Sequence, residues 1–95
     1  VKGTVLPGEK IAMFNKACAI DPHDTVVIEE LSELIKAVSK INRCHNNEHL
    51  KSLMEEIADV RIVIERIMRK YDIKEDDVDK LVVFKINRFI DRYGI

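Results

Sequence analysis

Tryptophan is absent, and two tyrosines and three phenylalanines make up only 5% of the 95 residues. A platform that stacks bare nucleic-acid bases on aromatic rings is therefore not encoded. Charge of one sign is lacking too: 16 Lys and Arg stand against 17 Asp and Glu, a formal net charge of −1. A dedicated nucleic-acid binder carries a basic excess, so nucleic acid is not an expected partner. Three Gly and two Pro are too few for the many turns of an all-β domain. No apolar run approaches the roughly 20 residues that span a bilayer, so no membrane association is expected. Two Cys allow at most one disulfide. With no recognisable secretory signal, reduced thiols and a cytoplasmic location are the expectation.

Hydrophobic residues make up 46% and charged residues 35%, the balance of a globular protein. The length suits a single domain over residues 1–95. So short a chain buries only about 60–65% of its unfolded surface, so oligomerisation is expected to supply part of its stability. Four helices follow from periodicity and punctuation. The first runs from about Gly8 to Ala19, with Ile11, Met13, Phe14, Ala17 and Cys18 at helical spacing. Asp21-Pro22 announces the second, with Asp24 in its first turn and an end near Ile41. Arg43 to Asn47 form a polar connection. The third starts at Asn46 or Asn47 and reaches about Tyr71, carrying Leu50, Leu53, Ile57, Val60, Ile64 and Ile67. The fourth opens on Glu75-Asp76-Asp77 and stops before Gly94. No alternating run competes as a strand. The expected fold is all-α, an antiparallel four-helix bundle completed by oligomerisation.

The second helix carries Glu29-Glu30-Leu31-Ser32-Glu33 and the third Glu55-Glu56-Ile57-Ala58-Asp59. A spacing of three puts Glu30 with Glu33, and Glu56 with Asp59, on one face of each helix. On a helical wheel Glu30 falls about 20° from Ile41, at the edge of the arc of Ile28, Leu31, Leu34, Ile35 and Val38. Glu56 falls between the directions of Val63 and Ile67, and Asp59 about 40° beyond Val63. These acids border the apolar stripes. Facing one another unpaired, they would repel and cost several kcal/mol per buried ion. A hard divalent cation resolves both problems, and an all-carboxylate set suits Mg2+ and phosphoryl chemistry. The rival reading of the same residues is a solvated acidic face held by Arg and Lys neighbours.

Glu29-Glu30-x-x-Glu33, then 22 residues, then Glu56-x-x-Asp59 resembles the signature of MazG-type all-α nucleoside triphosphate pyrophosphohydrolases. The basic segment Lys85-Ile86-Asn87-Arg88 on the last helix matches as well, and the resemblance spans about residues 8–93. It implies Mg2+-dependent hydrolysis of ribo- or deoxyribonucleoside triphosphates to monophosphate and pyrophosphate, with Mn2+ as a substitute metal, in nucleotide-pool sanitation. It implies Glu30, Glu33, Glu56 and Asp59 as metal ligands, and a homo-oligomer, dimer or tetramer. Glu33 is a carboxylate it offers to orient or deprotonate the attacking water, and Glu29 one to assist that water or a second metal. Glu29 lies about 100° round the helix from Glu30, which suits a lesser role.

Lys85, Arg88 and Arg92 share one face of the last helix, and Lys85 and Arg88 are the expected phosphate-binding residues. The same cations would also complement the helix dipole. By analogy with the family, Phe14 and Asn15 of the first helix are candidates for base binding. His45 and His49 have the spacing of a helical zinc pair, with Cys44 adjacent, but no second pair with ligand spacing completes the set. The alternative to an enzyme is a non-catalytic helical dimerisation module with acidic salt-bridge clusters. A metal-stabilised bundle without turnover is a third possibility.

Overall fold

The structure is a computed structural model that describes residues 24–94, together with Gly8, Glu9, Ala12, Met13 and Lys16. Those five isolated residues are helical; the rest of the expected first helix, including Phe14 and Asn15, lies outside the described residues. Three complete helices follow: α1 over Thr25–Arg43, α2 over Asn47–Lys70 and α3 over Glu75–Tyr93. They correspond to the second, third and fourth helices expected from the sequence. Among the described residues there is no strand, and no helix is long and apolar enough to cross a membrane.

The helix ends have local causes. Asn46 caps α2: its side-chain oxygen accepts from the His49 N–H at 2.7 Å. His49 Nδ1 lies 2.7 Å from the Cys44 carbonyl oxygen, which ties the three-residue connection to the first turn of α2. The C-terminus of α2 is closed by Asp72 in the left-handed region (φ 52°), with Ile73 N–H donating to Met68 O at 2.8 Å and Asp72 N–H to Arg69 O at 3.4 Å. That pair of bonds is a Schellman closure with Asp where Gly is usual. Glu75, Asp76 and Asp77 occupy the first turn of α3, and Gly94 (φ 66°) ends it.

The start of α1 differs from expectation. Asp21 and Pro22 lie outside the described residues, and the residue preceding α1 is Asp24, itself left-handed (φ 56°) and making no side-chain cap. Its carboxylate does not serve the helix dipole. It reaches the far end of α2, accepting from Arg66 Nη1 at 2.8 Å, Lys70 Nζ at 2.9 Å and the Tyr71 hydroxyl at 2.9 Å. This clasp, with the short Cys44–Asn46 connection at the other end, makes α1 and α2 an antiparallel hairpin.

The hairpin packs through small residues. Val27 and Ala37 of α1 and Val60 and Val63 of α2 form the buried apolar core among the described residues. Each buried Val contributes roughly 1.5–3 kcal/mol, a thin core for an independent domain. Most of the larger apolar residues of the sequence stripes face elsewhere: Ile28, Leu31, Ile35, Val38, Leu50, Met54, Ile57 and Ile64 are exposed, while Leu34, Ile41, Leu53 and Ile67 are half-buried. The packed direction of α1 is turned by roughly 90° from the centre of its large-residue arc, toward Glu30. Close approach of two helices favours small side chains at the contact, and that brings the acid-bearing edges inward. Helix α3 has no buried residue, so the hairpin is the only extensive helix packing among the described residues.

Candidate metal centre

Because the hairpin closes on the acid-bearing edges, three of the four expected ligands converge. Glu30 of α1 and Glu56 and Asp59 of α2 each present a carboxylate oxygen, all within 4.8 Å of one another. Glu30 and Glu56 are half-buried. Glu56 Oε2 is fully buried with no hydrogen-bond partner. Desolvation pushes the Glu30 carboxyl above its usual range, and the charges of Asp59, Glu56, Glu33 and Glu29 push it further the same way. The site thus concentrates negative charge in a partly desolvated crevice.

Glu33 stands apart from this trio. It lies about 60° further round α1 than Glu30 and binds Lys36 Nζ at 3.3 Å on the surface. Glu29 is exposed; its carbonyl accepts from the Ser32 hydroxyl at 2.8 Å. An orphaned buried carboxylate oxygen beside two more carboxylates is a donor set suited to a hard divalent cation, which takes oxygen ligands and keeps several waters. The residues present therefore fit Mg2+ or Mn2+.

Lys85 and Arg88 lie on α3, where with Phe89, Arg92 and Tyr93 they line a shallow cavity of about 220 Å³. The Phe89 and Tyr93 rings pack tilted, centroids 4.5 Å apart. Neither cation is ion-paired to Glu30, Glu56 or Asp59, so within one chain the phosphate-binding candidates are not joined to the acidic trio. Cys44, His45 and His49 form no metal-ligating group among the described residues, and His49 is engaged by the connection backbone.

Sequence reasoning missed the Asp24 clasp. Asp24 is held down to a pKa of about 2, chiefly by hydrogen bonds from Lys70 and then Arg66. The Lys70 ammonium is raised in turn by its bond to Asp24, and it also lies 5.2 Å from the Tyr71 ring centroid. Its one local trace is Arg66 and Lys70 at i, i+4, with Arg66 beside the buried direction of Val63. The chain matches no protein-family model, no curated protein and no solved structure. The family resemblance is accordingly carried by the motif residues alone.

Proposed function

We propose that the chain is a Mg2+-dependent nucleoside triphosphate pyrophosphohydrolase. It cleaves ribo- or deoxyribonucleoside triphosphates to the monophosphate and pyrophosphate, in cytoplasmic nucleotide-pool sanitation, as a homo-oligomer. One observation carries the reading: Glu30, Glu56 and Asp59 bring oxygens within 4.8 Å of one another, and the adjacent Glu56 Oε2 is buried without a partner. A bound Mg2+ or Mn2+ supplies Lewis-acid stabilisation of phosphate oxygens and lowers the pKa of a coordinated water. Glu30, Glu56 and Asp59 hold the metal, and Glu33, one turn along α1, joins them when it leaves Lys36. Glu33 and Glu29 are the carboxylates left to orient a water or take its proton. Lys85 and Arg88 bind the phosphate oxygens by charge-assisted hydrogen bonds. Phe14 and Asn15 are assigned to the base.

The oligomer is supported by the open apolar face of the hairpin, where Ile35 is 67% and Met54 63% exposed. A second hairpin laid on this face makes a four-helix bundle with a core of ordinary thickness. The rival reading, a non-catalytic dimerisation module, is favoured by the surface pairs Glu33–Lys36 (3.3 Å) and Glu65–Arg69 (3.2 Å), in which acids serve as salt-bridge partners. Incubation with a panel of nucleoside triphosphates and Mg2+ decides between them. The enzyme releases pyrophosphate and monophosphate, EDTA abolishes the release, and Glu56→Gln and Asp59→Asn lose it while staying helical. Absence of turnover with every triphosphate leaves the module.

A further inference from the structure

Asp24 stands immediately before α1 in the left-handed region (φ 56°), a conformation that a residue other than Gly keeps only where its surroundings impose it. The far end of α2 imposes it. The carboxylate accepts from Arg66 Nη1 at 2.8 Å, Lys70 Nζ at 2.9 Å and the Tyr71 hydroxyl at 2.9 Å, across 42 to 47 residues of chain. Arg66 is 6% exposed, so the bond it gives is shielded from water. The same carboxylate makes no cap for its own helix. It serves the pairing of α1 with α2.

That pairing is under opposed forces. Glu30, Glu56 and Asp59 hold oxygens within 4.8 Å of one another, and like charges at that distance repel. The buried apolar residues Val27, Ala37, Val60 and Val63 are short side chains, which make low ridges and resist sliding weakly. The clasp opposes the repulsion. Glu30 lies six residues from Asp24 and Asp59 seven from Arg66, about 9 and 10.5 Å along the two helices. A closed clasp therefore sets Glu30 nearly level with Asp59. The connection at the other end is farther off, about 21 Å along α1 from Glu30. A slip of one turn is about 5.4 Å. That exceeds the 4.8 Å within which the oxygens gather, so it opens the clasp and disperses the acids together.

We infer that Asp24 is a positioning residue of the metal centre: its clasp fixes the register in which Glu30 stands against Glu56 and Asp59, and clasp and cation stabilise each other through the hairpin. The inference rests on the reading that this trio takes a divalent cation, and it does not depend on turnover. Isothermal titration of the EDTA-stripped full chain with MgCl2 tests it, with Asp24→Asn, Tyr71→Phe and Ala37→Gly beside the wild type. Asn tolerates the left-handed backbone and removes the charge. Tyr71→Phe removes one hydrogen bond at an exposed position, and it decides the matter if Asp24→Asn fails to fold. Ala37→Gly loosens α1 at a similar distance on the other side of Glu30 and leaves the clasp intact. Mg2+ affinity should fall about tenfold in Asp24→Asn and about threefold in Tyr71→Phe, and stay within about 1.5-fold in Ala37→Gly, with helicity retained by circular dichroism. Wild-type affinity in the folded clasp variants overturns the inference and leaves the metal site standing. Equal weakening in Ala37→Gly overturns it too, because any loosening of the hairpin would then suffice. No binding to the wild type removes the metal reading, and this inference with it.

Discussion

Asp24, just before α1, and Glu30, within it, respond to pH in opposite senses. The Asp24 carboxyl titrates at about 2 in the folded protein against an ordinary 3.8. Its contribution is therefore fully present above pH 3.8 and lost as pH falls from there toward 2. Asp24→Asn keeps a side chain that tolerates the left-handed backbone but leaves the buried Arg66 without this counter-charge. Thermal melts should show Asp24→Asn less stable than wild type at pH 7, with the gap closing as pH approaches 2. Glu30 is raised above 4.5, so its ionised form is the disfavoured one in the fold. Without metal, stability is then lost as pH rises past 4.5 through the folded-state pKa, and recovered on acidification. Glu30→Gln should raise the metal-free melting temperature at pH 7 and abolish most of the gain from Mg2+. Val63, 1% exposed, is the tightest point of the core. Val63→Ala should cost about 2 kcal/mol in a denaturant titration.

The helices were legible where their causes are local. Asn46 as a cap, the acids opening α3 and Gly94 closing it are each settled within one turn of chain, and the sequence marks all three. Asp24 misled because its partners lie 42 to 47 residues away, at Arg66, Lys70 and Tyr71. No local rule reports a bond of that range. The packed faces were misjudged for a related reason. Hydrophobic spacing identifies an apolar arc but not which neighbour covers it, and α1 meets α2 through Val27 and Ala37 rather than through Ile28 and Ile35. The same turn brings Glu30 inward and leaves Glu33 outside, so three ligands of the expected four converge. At the end of α2, Asp72 occupies a left-handed position that Gly takes without steric cost. Its side chain bonds only Lys74 at the surface, at 2.9 Å. Asp72→Gly should therefore stabilise the chain by about 1 kcal/mol, read from the urea midpoint at constant slope.

At the scale of the molecule, two apolar faces are exposed among the described residues, the hairpin's and that of α3. Among the described residues four small apolar side chains are buried, little to set against the ordering entropy of residues 24–94. If association completes the core, as proposed, the melting temperature should rise with protein concentration. Metal binding acts through the same linkage. Mg2+ at a hundred times its dissociation constant should add about 2.7 kcal/mol to the folded state.

On the proposed function, Glu30, Glu56 and Asp59 together hold a divalent cation between α1 and α2. Isothermal titration of the EDTA-stripped full chain with MgCl2, beside Glu56→Gln and Asp59→Asn, tests it most directly. Saturable binding to the wild type, weakened at least tenfold in both variants while their helicity is kept, is the predicted result. Equal titrations for all three proteins, or no binding to the wild type, would contradict it.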